Sequence, residues 1–262
     1  MISWFYSLPE IVLEAVAAML LAALVTVMPR VVRRVPLLAV GEEYADLVLR
    51  IQVTMFTMTS LVLAFTLVQA ESNFRKVDAI VSAEASQIDR LDRLLARYGD
   101  AQAATVRQHL RAYARSIIDD DWPAMLQGDD ESEKTRQAFT PVSRGVLALT
   151  PSPGRQTEIY SEILRTFDAV AESRDTRLNA ISLRLPTTYW IVVLFSTMMT
   201  LFVSSTLSPS RFRTVLLACQ MAVLGGLVGF VFVTDQPFLG ETAVNTDDYA
   251  RTLRHMDARP NL

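Results

Sequence analysis

The chain holds 262 residues, 51% of them apolar and 20% charged, with a formal net charge of −3. So large an apolar share beside that many charges means that the two are segregated along the chain. The slight negative balance, with no clustered excess of Lys and Arg, argues against a nucleic-acid surface, and the single cysteine, Cys219, excludes an intrachain disulfide framework or a cysteine zinc site.

Four apolar runs, about 8–28, 51–70, 187–207 and 214–233, are each long enough as helices to cross ~30 Å of hydrocarbon. More than a hundred polar and charged residues separate the second from the third. The predicted fold class is all-α, with four transmembrane helices and a long extramembrane helical bundle inserted between the second and third spans. The predicted domains are 1–70 (first transmembrane pair), 71–185 (extramembrane helical domain) and 186–262 (second transmembrane pair and C-terminal tail).

Ser7-Leu8-Pro9-Glu10 reads as a capping box with Pro in the first turn, starting a helix that runs to Pro29. A cleaved signal peptide is the rival, but no basic segment precedes the run and Glu14 interrupts it. Glu10 and Glu14, one turn apart, read as an interfacial pair, or else as a cation-attracting ring in an oligomer. Pro36 and Gly41 then break a linker rich in Arg and Glu.

In the second span Gln52, Thr59 and Thr66 recur every seven residues, within roughly 40° of one another on a helix. Such a stripe either bonds to a neighbouring helix or lines a pore. No Pro or Gly intervenes between Ile51 and Gly99, and Phe74, Val77, Val81, Ile88, Leu91, Leu95 and Tyr98 continue a three-four alternation, so the helix leaves the membrane unbroken. Glu84 occupies a core position of that alternation.

Asp100 can cap a further helix carrying Val106, Leu110, Tyr113 and Ile117. It ends in Asp119-Asp120-Asp121-Trp122-Pro123, read as a solvated acidic end in preference to a cation site, because consecutive side chains on a helix end diverge. Another helix spans about 134–149, and the last of the region about 156–185. On this last helix Arg174 and Arg177 interrupt the apolar side. Counting ~1.5 Å per residue, Glu84 stands ~21 Å beyond Ala70, while Arg174 and Arg177 stand ~18 and ~14 Å before Pro186. The stalks leaving span two and entering span three are therefore expected to pack antiparallel, with Glu84 paired to Arg174 or Arg177 in their seam.

Arg184 and Trp190 suit the membrane boundary. A turn at Ser208-Pro209-Ser210-Arg211 makes spans three and four a hairpin, and Gly225 and Gly229 allow close approach of another helix. Asp235, Pro237 and Gly240 mark a segment that folds back at the interface, ahead of a tail with helical character over 247–256.

The blocks LVLAFTLVQAESNFRKVDAIVSAEASQIDRL, RAYARSIIDDDW, SRDTRLNAISLRLPTTYW and DQPFLG, in this order, resemble the bestrophin-like domain family of bacterial and plant membrane proteins. On that resemblance Glu84, Tyr113, Trp122, Arg177, Pro186, Trp190, Asp235, Pro237, Phe238 and Gly240 fall on the family's characteristic positions. Kinship with bestrophins, pentameric anion channels with four spans per subunit, is implied, although the second span here lacks a matching constriction motif. The resemblance implies a homo-oligomer in a bacterial cytoplasmic membrane whose partners are the lipid bilayer and an ion of unknown identity.

The short loops carry Arg30, Arg33, Arg34, Arg50, Arg211 and Arg213, which places them in the cytoplasm and the helical region and both termini outside. Arg75, Lys76, Arg90, Arg174, Arg177 and Arg184, near the span ends, weigh the other way. His109 and His255 have no neighbours at metal-ligand spacing and no Gly-rich phosphate loop is present, so neither an enzyme nor a cofactor is expected. An ion channel lined by the second span, or a non-conducting membrane-anchored scaffold or sensor that binds a partner, are the two readings left.

Overall fold

The computed structural model describes residues 9–32, 34, 42–127, 131–207, 210–238 and 243–260, and among these every regular element is helical. In chain order they are α1 (Glu10–Val32), a 3₁₀ turn (Glu42–Tyr44), α2 (Ala45–Tyr98), α3 (Ala101–Ser116), a π-helical turn (Ile117–Asp121), α4 (Trp122–Gln127), α5 (Glu133–Leu147), α6 (Arg155–Ala180), α7 (Thr187–Thr206), α8 (Arg211–Thr234) and α9 (Asp247–Ala258). Four of these, α1, α2, α7 and α8, are long and apolar enough to cross a membrane. Ser7, Arg33, Pro36, Gly41, Ser208, Pro209 and Gly240, to which the sequence assigned roles, lie outside the described residues.

The chain divides into two compact units, Met1–Phe74 with Arg184–Thr242 and Arg75–Leu183 with Ala243–Leu262. This differs from the expected grouping of 186–262. The tail packs with the charged helical region, because α9 carries Tyr249, Thr252, Leu253 and Met256 on one buried face and meets α3. α2 is a single 54-residue helix with no internal break.

In the first unit α1 lies against α8 and α7, over a core that includes Leu21, Val25, Leu63, Val193, Leu201, Met221 and Leu224. Gly225 and Gly229 are what let α1 come so close. A Cβ on Gly229 would stand 2.9 Å from the Glu14 Cα, and one on Gly225 would collide with the Ala17 carbonyl, whereas Gly226 faces open space. Large apolar side chains such as Ile11, Leu20, Phe65, Ile191, Phe195, Phe212 and Val215 are exposed, the inverse of a water-facing surface.

In the second unit Glu84, Arg90 and Tyr98 of α2 contact Arg177, Glu162 and Gln156 of α6 respectively, so the two run antiparallel. The predicted seam residues Val77, Val81, Ile88, Leu91 and Leu95 are all buried. α2 stops at Gly99, whose φ of 75° places it in the left-handed region that terminates helices. Asp100 then caps α3 by accepting from Ala103 N at 2.7 Å. α6 ends at Ala180 and not near Leu185 as expected. Pro186 forbids a helical conformation just before it, and the Leu185 N–H goes instead to the Asp235 carboxylate at 2.6 Å.

Candidate functional site

The second unit closes around a charged cluster in which no side chain reaches solvent. Glu84, Arg177, Asp121, Tyr113 and Tyr249 are all 0% exposed. Arg177 Nε donates to Glu84 Oε2 at 2.6 Å, and its terminal nitrogens donate to Asp121 Oδ2 at 2.9 Å and to the Met125 sulfur at 3.3 Å. Tyr113 donates to Glu84 Oε1 and Tyr249 to Glu84 Oε2, each at 2.8 Å. Asp121 Oδ1 accepts from the Ser132 backbone N–H at 2.7 Å. Each carboxylate oxygen thus has a donor, the condition under which a buried charge is tolerated.

Local structure puts each group there. Glu84 and Arg177 replace apolar residues on the inward stripes of α2 and α6, which fixes the register of the seam. Asp121 arrives through the π-helical turn, whose extra residue rotates it inward. The three aspartates therefore separate. Asp119 is exposed, Asp120 pairs with Lys134 at 2.8 Å, and Asp121 is sealed in, which corrects the reading of a wholly solvated acidic end.

Of the two arginines expected near Glu84, Arg177 is the partner. Arg174 instead pairs with Glu131 and lies 4.8 Å over the Phe139 ring. Phe139 in turn contacts Tyr113 (4.9 Å) and Phe167 (5.7 Å), and Trp122 meets Tyr249 edge-on at 6.1 Å. Burial, followed by the Glu84 charge, raises the Tyr113 and Tyr249 phenols well above their ordinary value. For Arg177 burial acts downward, but Glu84, the two tyrosines and Asp121 outweigh it and hold the guanidinium charged.

A second charged network, not anticipated from sequence, joins Asp92 and Asp89 to Arg107 and Arg259. Arg107 Nε donates to Asp92 at 2.8 Å, Arg259 donates to Asp89 at 3.0 Å and to Asp92, and Arg107 reaches the carbonyls of Arg259 and Pro260 at 3.2 Å. It staples the end of the tail to α2 and α3. Tyr249 was missed as well. A tail tyrosine carries no local sign that it serves a carboxylate 165 residues earlier, although its place among the buried residues of an amphipathic α9 is a usable signal.

In the first unit the stripe proposed as pore-lining is closed off. Gln52, Thr59 and Thr66 are at most 3% exposed. Gln52 donates to Gln220 at 3.2 Å, Thr59 shares a hydrogen bond with Thr200 at 2.8 Å and reaches the Ser196 carbonyl at 3.2 Å, and Thr66 bonds the Val62 carbonyl in its own helix. Gln52 and Thr59 are spent on neighbouring helices, while Thr66 is buried with its hydroxyl turned back on α2. Asp235, at the end of α8, accepts from Leu185 N and from Trp190 Nε1 at 3.1 Å, so that Pro186 and Trp190 are clasped to it. Pro237 and Phe238 follow, both buried. Among the described residues no group of His, Cys, Asp and Glu could hold a metal ion.

A family model for the Bestrophin-like domain matches residues 15–249. The crystal structure of a membrane protein shares the fold, with a TM-score of 0.64 over 94% of this chain and 99% of that one at 12% identity. No curated protein sequence matches the chain.

Proposed function

Because the chain belongs to the bestrophin-like domain family and carries four helices long and apolar enough to cross a membrane, we propose that it is an oligomeric ion channel. Copies of the chain surround an axis lined by α2, and the helical unit between the second and third spans lies outside the bilayer. The observation that carries this reading is the face of α2 opposite the buried stripe. Arg50, Thr54, Thr57, Leu61, Ala64 and Val68, at three- and four-residue spacing, are exposed. Arg50, paired with Asp46 at 2.9 Å, stands at the mouth of the span, and although the Thr54 and Thr57 hydroxyls bond carbonyls of their own helix, their free lone pairs and the small Ala64 suit a water-filled axis that narrows at Leu61.

Planar-bilayer recording of the purified protein tests it. Conductance is expected, and Thr57→Lys should shift ion selectivity with assembly intact. No current in any salt, with an oligomer preserved on native mass spectrometry, ends the channel reading. The second reading, a non-conducting scaffold or sensor, draws on a specific observation too, since the most polar stripe of α2 is spent on neighbouring helices. The arginines of the short loops support a cytoplasmic position for those loops in a bacterial inner membrane, with the helical unit outside. A C-terminal alkaline phosphatase fusion should be active, and a fluorescent C-terminal cytoplasmic reporter would reverse the orientation.

A further inference from the structure

Within the first unit, α2 and α7 part to leave a cleft of about 260 Å³ lined by Val62, Phe65, Thr66, Thr188, Tyr189 and Val192. The helices are pinned where Thr59 meets Thr200 and the Ser196 carbonyl. Two turns further along α2, Thr66 spends its hydroxyl on the Val62 carbonyl of its own helix and ties nothing across. The pair therefore splays from the pin toward the start of α7, and the walls of the gap are apolar.

Two features decide what fits there. The cleft opens onto the bilayer-facing surface, continuous with exposed Phe65, Ile191, Val192 and Phe195, so its occupant arrives from the hydrocarbon. The head of α7 carries Tyr189 and Trp190 just after exposed Arg184, the aromatic and cationic groups that sit at the lipid–water boundary. With the Thr66 hydroxyl already committed and the Thr188 and Tyr189 hydroxyls left for a headgroup at the start of α7, the exposed wall of the cleft is apolar, and a flexible hydrocarbon chain loses nothing by entering. We propose that this cleft holds one acyl chain of a membrane phospholipid, with its headgroup at the level of Arg184 and Tyr189, as a retained lipid filling the gap between the second and third spans.

The test uses the full chain purified into nanodiscs with a phosphatidylglycerol bearing a photoreactive diazirine near the end of one acyl chain. After illumination and digestion, label is expected on the peptides containing Val62–Thr66 and Thr188–Val192. Native mass spectrometry of the wild type should retain one phospholipid per chain, and Thr188→Trp and Val192→Phe, which fill the cleft, should cut that occupancy at least tenfold. Label spread evenly over the exposed faces of α1 and α8, or equal lipid retention in the wild type and both filled variants, would overturn the proposal. So would efficient intermolecular disulfide formation by Val192→Cys in a Cys219→Ser background, because a second copy would then occupy the cleft. Should the filled variants fail to fold, the labelling pattern of the wild type decides alone.

Discussion

In the unit formed by Arg75–Leu183 with Ala243–Leu262 the core takes in whole charges, whereas the unit of the membrane-length helices takes in hydroxyls and amides and keeps its buried carboxylate, Asp235, at a helix end. The difference follows from what each backbone arrangement can supply. Glu84 and Asp121 draw donors from α3, α6, α9 and the segment before α5 at once, so their desolvation is matched by several charge-assisted bonds. Long parallel or antiparallel spans offer one or two neighbours per side chain, enough for Thr59 with Thr200 or Gln52 with Gln220 but not for an ion. Close backbone approach at Gly225 and Gly229 takes the place of charge as the specific contact there.

The sharpest way to break the comparison is Arg177→Ala. It leaves Glu84 and Asp121 buried without their shared cation, and the expected loss is about 3–5 kcal/mol, enough to unfold the second unit. Hydrogen exchange on α6 and α9 should collapse toward unprotected rates while α1 and α8 keep their protection. Replacing Glu84, Asp121 and Arg177 together by Met, Leu and Met should cost much less, since the penalty lies in the unpaired charge. A triple variant as unstable as the single would show that the cluster acts through packing alone.

The matching probe of the first unit is Gly225→Ala. Its methyl would collide with the Ala17 backbone, which cannot rotate away, and about 1–3 kcal/mol is expected. Gly226→Ala, facing open space, is the internal control and should leave the melting temperature in detergent unchanged or slightly raised, because alanine favours a helix over glycine. Equal losses from both would mean that the α1–α8 approach does not govern the effect, since helix propensity favours alanine at both positions.

These contrasts also explain what could be read in advance. The spans, the unbroken α2 and the seam positions come from local periodicity, and the inward stripes of α2 and α6 place Glu84 level with two arginines. Choosing Arg177 over Arg174 needs the aromatic wall, because Phe139 draws Arg174 aside toward Glu131. Asp121 was illegible because a π-helical turn shifts the register by a residue that no spacing argument anticipates. The Asp92–Arg107–Arg259 network and Tyr249 depend on the tail returning to α2 and α3, a long-range event without a local signal.

Tyr249→Phe probes that return at smaller cost. Glu84 Oε2 keeps Arg177, so about 1 kcal/mol should be lost. The pH profile is the more telling readout. Burial and then Glu84 raise the Tyr113 and Tyr249 phenols above the ordinary 10.0, so the folded state holds these protons more tightly than the unfolded one. Their contribution is complete below about pH 10 and falls as pH rises beyond it. Melting temperature should drop along the alkaline limb, less steeply in Tyr249→Phe. Parallel limbs in wild type and variant would place the tail tyrosine outside the cluster.

Thr59→Val carries the smallest expected effect and separates structure from conduction most directly. The valine keeps the volume and removes one interhelical hydroxyl contact with Thr200, a change of about 0.6 kcal/mol by the usual worth of such bonds in membranes. Because Thr59 is 1% exposed and turned toward α7, its loss should leave unitary conductance and selectivity as they were, whereas Thr57→Val, on the open face of α2, should change them. A selectivity change from Thr59→Val with no effect from Thr57→Val would reverse the assignment of the two faces and return the buried stripe to the ion path.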